Sequence, residues 1–340
     1  MTSSRIAKHA TLGAAVLLVS MCALGAPSFA QEAAAAQVVL RFATLAPNGS
    51  AGSRVFDAWN REIRRRTGGA LAVRLYAGGV QGDEAEVIRK IRSGRLDGTT
   101  VTATGLAQIH RPAVVFQIPG MLRTYEQMDR ARAALAPEIT AGVEASGFKL
   151  LGWADLGQTR VFSTRQVRNP GDLASCHVWQ RADDIIMPGA MQAMRTTAVS
   201  LQVPEVLSAL STGRIDTVFA PPIAVVALQW TPRFRYMTDL PMSIVVGAMV
   251  LSKPRFDALT PEQQAVVTET STQFNALARR NLRAADEQAL AAILSHGVQA
   301  VPVSDADRAQ WIALGARIRQ RVAGQVADQA TIDRVAAFAN

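Results

Sequence analysis

Of 340 residues, four are histidine and two are cysteine, so metal and nucleophile chemistry have few places to sit. His110, His177 and His296 stand far apart, with none of the short spacings that gather metal ligands. Cys176 precedes His177, but neighbours on a strand point to opposite faces. The pair therefore reads as a buried thiol beside an outward imidazole rather than a thiolate couple. The glycine-flanked serine of a hydrolase elbow is absent. Gly78-Gly79-Val80-Gln81-Gly82 opens a helix, the setting of a phosphate loop. Its glycine spacing is wrong for one. Asp83, Glu84 and Glu86 also fill the first helical turn, where they complement the dipole and repel phosphate. These patterns call for no catalytic residues, no metal and no cofactor.

The chemistry-bearing residues that do recur belong to a repeat. Residues 86–97 end Ser93-Gly94-Arg95-Leu96-Asp97, and residues 205–216 end Thr212-Gly213-Arg214-Ile215-Asp216. Glu, Val, Gly, Arg and Asp match in register, as do the apolar pairs Ile88/Leu207, Ile91/Leu210 and Leu96/Ile215. Each copy is a helical pattern stopped by glycine, followed by a strand-like run. Asp97 and Asp216 occupy equivalent junctions, which assigns them to capping a turn rather than to catalysis. A helix–Gly–strand unit in each half predicts a duplicated α/β lobe with a cleft between the copies.

Residues 1–30 have the form of an export signal. Arg5 and Lys8 precede an apolar run over 12–24, too short to span a bilayer, and Ser28-Phe29-Ala30 offers a small-x-small cleavage pattern. Removing these 30 residues leaves 310 and lowers the formal charge from +9 to +7. That length suffices for two lobes of ~150 residues. Only Cys176 survives cleavage, so no internal disulfide forms. The positive charge is dispersed arginine without interleaved aromatics, which excludes a nucleic-acid surface. No later segment is apolar over the ~18 residues that a membrane helix needs. The expected home is the periplasm.

Periodicity then orders the elements. Strands are predicted over 38–44 and 71–76, with an amphipathic helix over 53–66 between them. A helix over 125–146 follows a loop at 116–121, then two separate strands over 148–154 and 159–164. A short strand at 178–180 and a helix near 183–194 precede the second repeat copy. The run 240–251 reads as a buried strand. Residues 261–295 form the longest helical pattern, with Val266, Phe274, Leu277, Leu282 and Leu290 on its apolar face. At about 50 Å it exceeds the width of one lobe and should lie across both. Helices over 305–322 and 331–338 finish the chain.

Together these pieces resemble a known family. Leu40 to Thr44, Thr67-Gly68-Gly69, Tyr76 to Gly82, the two repeats, Pro170-Gly171-Asp172-Leu173, Pro221-Pro222, and Ser252-Lys253 with Phe256-Asp257-Ala258-Leu259 occur in the order found in the DctP-like extracytoplasmic solute-binding subunits of TRAP (tripartite ATP-independent periplasmic) transporters. The resemblance implies an α/β, two-lobed periplasmic-binding-protein-like fold with a long helix spanning both lobes. It implies no enzymatic activity and, as partners, a small organic ligand and the TRAP-type permease subunits. Lobe I is expected over 38–157 plus about 243–258. Lobe II is expected over 158–242 plus about 259–340.

The departures bear on the ligand. In the family the Pro-x-Asp-Leu motif leads to a strand whose Arg pairs with the ligand carboxylate; counting from Asp172-Leu173, Trp179 stands there. An indole offers one N–H and an apolar face, and cannot form the planar two-bond pair of a guanidinium. The family's Asn before the Pro is Ala220. The resemblance therefore points away from a simple small carboxylate, towards a ligand with an apolar or aromatic body. Arg160 and Arg181 are the candidates to replace the lost charge. Expected contacts are Thr44, Gln81 and Thr102 from lobe I, Trp153 at the hinge, and Trp179, Gln180, Phe219 and Trp230 from lobe II. The alternative reading is a periplasmic carrier or sensor for a hydrophobic or lipid-like ligand, working with a non-permease partner.

Overall fold

The computed structural model describes residues 37–339; the expected export signal lies outside them. Two β-α-β-α-β units build the protein. The first comprises β1 (Val38–Ala43), α1 (Ala51–Arg66), β2 (Leu71–Tyr76), α2 (Glu84–Arg92) and β3 (Gly98–Thr102), with parallel strands in the order β2-β1-β3. A short α3 (Ala103–Leu106), a 3₁₀ turn over Arg111–Gln117 and α4 (Tyr125–Ala145) lead to β4 (Phe148–Ser163). The second unit comprises β5 (Val178–Arg181), α5 (Met187–Met194), β6 (Ala198–Leu201), α6 (Val206–Ser211) and β7 (Thr217–Ala220), with parallel strands in the order β6-β5-β7. Beyond it lie α7 (Pro222–Ala227), β8 (Tyr236–Thr238), β9 (Ser243–Ser252), α8 (Lys253–Asp257), α9 (Pro261–Ser295), β10 (Gln299–Val301), α10 (Asp305–Val322) and α11 (Gln329–Ala336).

The repeat in the sequence is thus a repeat in space, and its acids explain why. Gly94 and Gly213 end their helices at φ +71° and +72°, a region open to glycine. The Asp97 N–H then donates to the Arg41 carbonyl (2.8 Å), and its carboxylate accepts from the Arg41 N–H (2.7 Å). Asp216 makes the same pair with His177, at 3.1 and 2.9 Å. Each Asp clamps its strand to the parallel neighbour, which is a structural duty.

β4 and β9 connect the units. β9 runs antiparallel between β3 and β4, and the end of β4 passes to β7 and β8, giving one ten-stranded sheet. The sequence reading split β4 into two strands; the structure has one, with irregularities between Leu150 and Gly152 and between Asp155 and Gly157. The alternation fails at those bulges because an extra residue is accommodated there, not because the strand stops.

Both bulges receive the long helix. A Cβ on Gly152 would fall 2.4 Å from Asn275 Nδ2, and one on Gly157 would fall 2.2 Å from Asp286 Cγ. Five strand residues and eleven helix residues each span roughly 16 Å, so α9 can dock at both glycines as it runs along β4. One end of α9 meets α1, where Trp59 Nε1 donates to Thr270 Oγ1 (2.9 Å). Farther on, Asp286 accepts from Ile223 N at the start of α7 (2.9 Å). The helix spans both units. Its buried face runs through Val266, Ala278, Leu282, Ala289 and Ile293 and includes the polar Thr270 and Asp286. Leu277, expected on that face, is 37% exposed because the helix turns it outward. Between the bulges, fully buried Asp155 binds Arg132 of α4 and Arg283 of α9, joining three elements by charge. At the C-terminus, α11 returns to α4 through Arg334 and Glu138 (2.8 Å).

Candidate functional site

A cavity of about 770 Å³ lies between the two units, with β4 and β9 at its back and α9 and α10 contributing wall. Its lining is mostly apolar, supplied by residues such as Leu156, Met187, Met194, Leu240, Met242 and Trp311. Strand ends and helix starts open into it because parallel β-α units direct their loops to one edge of the sheet. The volume falls among pockets that take ligands of roughly drug size, about 300–1,000 Å³.

Seven of the ten expected contact residues line this cavity: Thr44, Thr102, Trp179, Gln180, Arg181, Phe219 and Trp230. Trp179 and Trp230 pack edge to face, with ring centroids 5.5 Å apart. The Trp179 Nε1–H donates to the Leu201 carbonyl across the parallel strand pair (3.1 Å). The indole therefore offers a ligand only its apolar surface. Several polar members are also committed: Thr102 Oγ1 donates to Glu84 (2.8 Å), Gln180 Nε2 to Ser200 (2.8 Å), and Thr44 Oγ1 accepts from Thr100 (2.8 Å).

Three expected residues lie elsewhere. Gln81 turns back to its own helix, where its carbonyl accepts from Lys90 Nζ (2.7 Å), and its loop packs on Leu45 and Pro204. Trp153 sits within β4 and packs at right angles on Phe116 (5.8 Å), on the core side of the strand. Arg160 is buried, and its guanidinium pairs with Asp239 (2.8 Å). One residue along β4 exchanges the two faces of the sheet, so Thr159 lines the cavity where Arg160 does not.

Arg181 reaches from the end of β5 to the start of α2, meeting Asp83 (2.9 Å) and Glu84 (3.2 Å) while its Nε bonds Asp183 (3.1 Å). Burial pulls its pKa down, but Glu84, Asp183 and Asp83 more than offset this and hold it above its ordinary value. Asp83 also accepts from Val203 N (2.9 Å), so the start of the first repeat helix is tied to the segment before the second. Burial raises the Glu84 carboxyl against the pull of Arg181. Burial likewise raises Asp184, which accepts from Ile186 N and Met187 N (2.7 and 2.9 Å). Those two bonds start α5 at Met187, later than the sequence pattern implied. At the back, burial pushes Asp286 up to about 6, opposed by the N–H groups of Ile223 and Gln158.

Residues the sequence did not single out complete the wall. The Thr104 hydroxyl and the Gln117 amide oxygen are buried, lack a hydrogen-bond partner among the described residues, and belong to cavity-lining residues. Arg123 and Arg308 also line it. No motif marked them, because α3, the 3₁₀ turn and α10 reach the cavity only through tertiary packing. Among the described residues, no group of three or more His, Cys, Asp or Glu could hold a metal ion, and no helix is long and apolar enough to cross a membrane.

The family model described as bacterial extracellular solute-binding protein, family 7 (DctP), matches residues 42–325. The 2,3-diketo-L-gulonate-binding periplasmic protein YiaO of Escherichia coli strain K12 is 24% identical over 270 residues, covering 77% of this chain and 80% of that one. A TRAP periplasmic solute-binding protein from Shewanella oneidensis, solved with bound succinate, superposes with a TM-score of 0.85 at 15% identity, covering 90% of this chain and 100% of that one. Another from Citrobacter koseri, with bound D-glucuronate, gives 0.80 at 24% identity over 88% and 98%.

Proposed function

The chain belongs to the DctP family of bacterial extracellular solute-binding proteins, the TRAP type, and on that footing we propose that it captures a small organic solute with an apolar or aromatic body and delivers it to a TRAP-type permease. It is a binding protein, not an enzyme. The observation that carries this reading is the cavity wall. Counted from Asp172-Leu173, Trp179 takes the place of the carboxylate-binding Arg of the resembling family, and its indole N–H is held by the Leu201 carbonyl in the cavity wall. Arg160 is paired with Asp239, and Arg181 faces three carboxylates. Neither guanidinium is free to take the anionic end of a small sugar acid or dicarboxylate. Apolar burial is then the main source of affinity, at about 25 cal/mol per Å² removed from water before the costs of association.

On this reading the lobes are residues 38–157 with about 243–258, and 158–242 with about 259–340. They close on the solute about β4, β9 and α9. The same reading takes residues 1–30 as an export signal and the periplasm as the site of action, and assigns the wall contacts to Thr44, Thr102, Trp179, Gln180, Phe219 and Trp230.

The test is native mass spectrometry of the mature protein purified gently from the periplasm, with solvent extraction of what accompanies it. A compound with a substantial apolar or aromatic portion is expected. A uronate or a C4 dicarboxylate would overturn the reading. A lipid would favour the carrier alternative over delivery to a permease.

A further inference from the structure

The cavity's charge accounting leaves one half-buried cation over. Its lining contains five ionisable side chains: Glu84, Arg123, Arg181, Asp184 and Arg308. Arg181 shares its charge among Asp83, Glu84 and Asp183, and Asp184 spends its acceptors on the start of α5. Arg308 is exposed, so water already solvates it. Arg123 is half-buried, and its guanidinium has no carboxylate, carbonyl or aromatic partner among the described residues. Its backbone is held on both sides. The Arg123 N–H donates to Gln127 Oε1 (2.8 Å), and its carbonyl accepts from Gln158 Nε2 of β4 (2.9 Å). The side chain thus springs from a fixed point at the cavity edge.

A partly desolvated guanidinium without a counter-charge gains more from an anion than an exposed one, because the surrounding dielectric is lower. Arg123 attaches to β4 at Gln158, and Phe219 pairs with β4 at Val161. Three strand residues separate those points, roughly 10 Å.

We propose that Arg123 is the specificity-determining cation of the site, and that the solute is a monocarboxylate whose acid end pairs with Arg123 while its apolar body lies towards Trp179 and Phe219. This rests on the reading of the cavity as the solute site, and specifies the polar end of the same ligand. The charge that the family places on the β5 strand has, in this chain, moved to the turn before α4.

The test uses the mature protein and matched probes: the series from phenylacetate to 4-phenylbutyrate together with hexanoate, each against its amide, titrated by calorimetry and thermal shift. At least one acid should bind about 10- to 100-fold more tightly than its amide, the value of a charge-assisted pair. Arg123→Gln should bring acid and amide within about threefold, Arg123→Lys should restore part of the preference, and Arg308→Gln should leave it intact. Loss of the preference in Arg308→Gln but not in Arg123→Gln would overturn the assignment. Equal binding of acids and amides would overturn it too, while leaving the apolar-solute reading standing. If no probe of either kind binds, the monocarboxylate assignment falls, and the compound that accompanies the purified protein decides the apolar-solute reading separately.

Discussion

On the proposed reading, Trp179 is the residue that changes the kind of ligand the site takes. Its ring is clamped between Trp230 and the strand pair, and its N–H is held by Leu201, so rotation towards a solute would break a buried hydrogen bond. Trp179→Arg removes the apolar wall and restores a guanidinium where the family motif has one. The expected result is at least tenfold weaker binding of the native solute and measurable affinity for succinate or D-glucuronate, both read by calorimetry. If neither affinity moves, Trp179 does not shape the site.

The elements hold together through contacts that only glycine permits. Gly157 has φ +131° and lies against the Asp286 carboxylate, which pins β4, α7 and α9 through the N–H groups of Gln158 and Ile223. Gly157→Ala drives a methyl into that carboxylate, and the expected cost is roughly 2–4 kcal/mol in urea unfolding. Gly213, at φ +72° with nothing within 4 Å of an added Cβ, provides the comparison. Gly213→Ala should cost only the backbone strain, about 1 kcal/mol. Equal losses at the two sites would show that the bulge packing contributes nothing beyond backbone conformation.

For the molecule as a whole, the contact between Arg181 and the Asp83–Glu84 pair links the two β-α-β-α-β units across the cavity. Arg181→Gln leaves those buried acids without their cation, so the two units should separate more readily. Small-angle scattering of the variant should give a larger radius of gyration in the absence of solute, and affinity should fall for every probe alike, acid or amide. An unchanged radius together with unchanged affinity would remove Arg181 from any role in closure.

The local elements and their duplication were legible in the amino-acid sequence. Glycine stops, apolar periods and the Glu-to-Asp repeat depend on residues within a dozen positions of one another, and local sterics and hydrogen bonding dictate what such stretches do. The bounds of α9 and α10 came out as their caps and apolar spacing implied. The continuity of β4 was not legible, because a bulge and a strand end break the same alternation. The partners of the charges were also out of reach. Arg160 finds Asp239 and Arg181 finds Asp83, 79 and 98 positions away in the chain, while Arg123 finds no partner for its side chain among the described residues. Trp153 and Gln81 were expected at the cleft and pack elsewhere. Local order follows from neighbours in the chain. Which charges are neutralised, and which surface faces the solute, is decided only when distant segments meet.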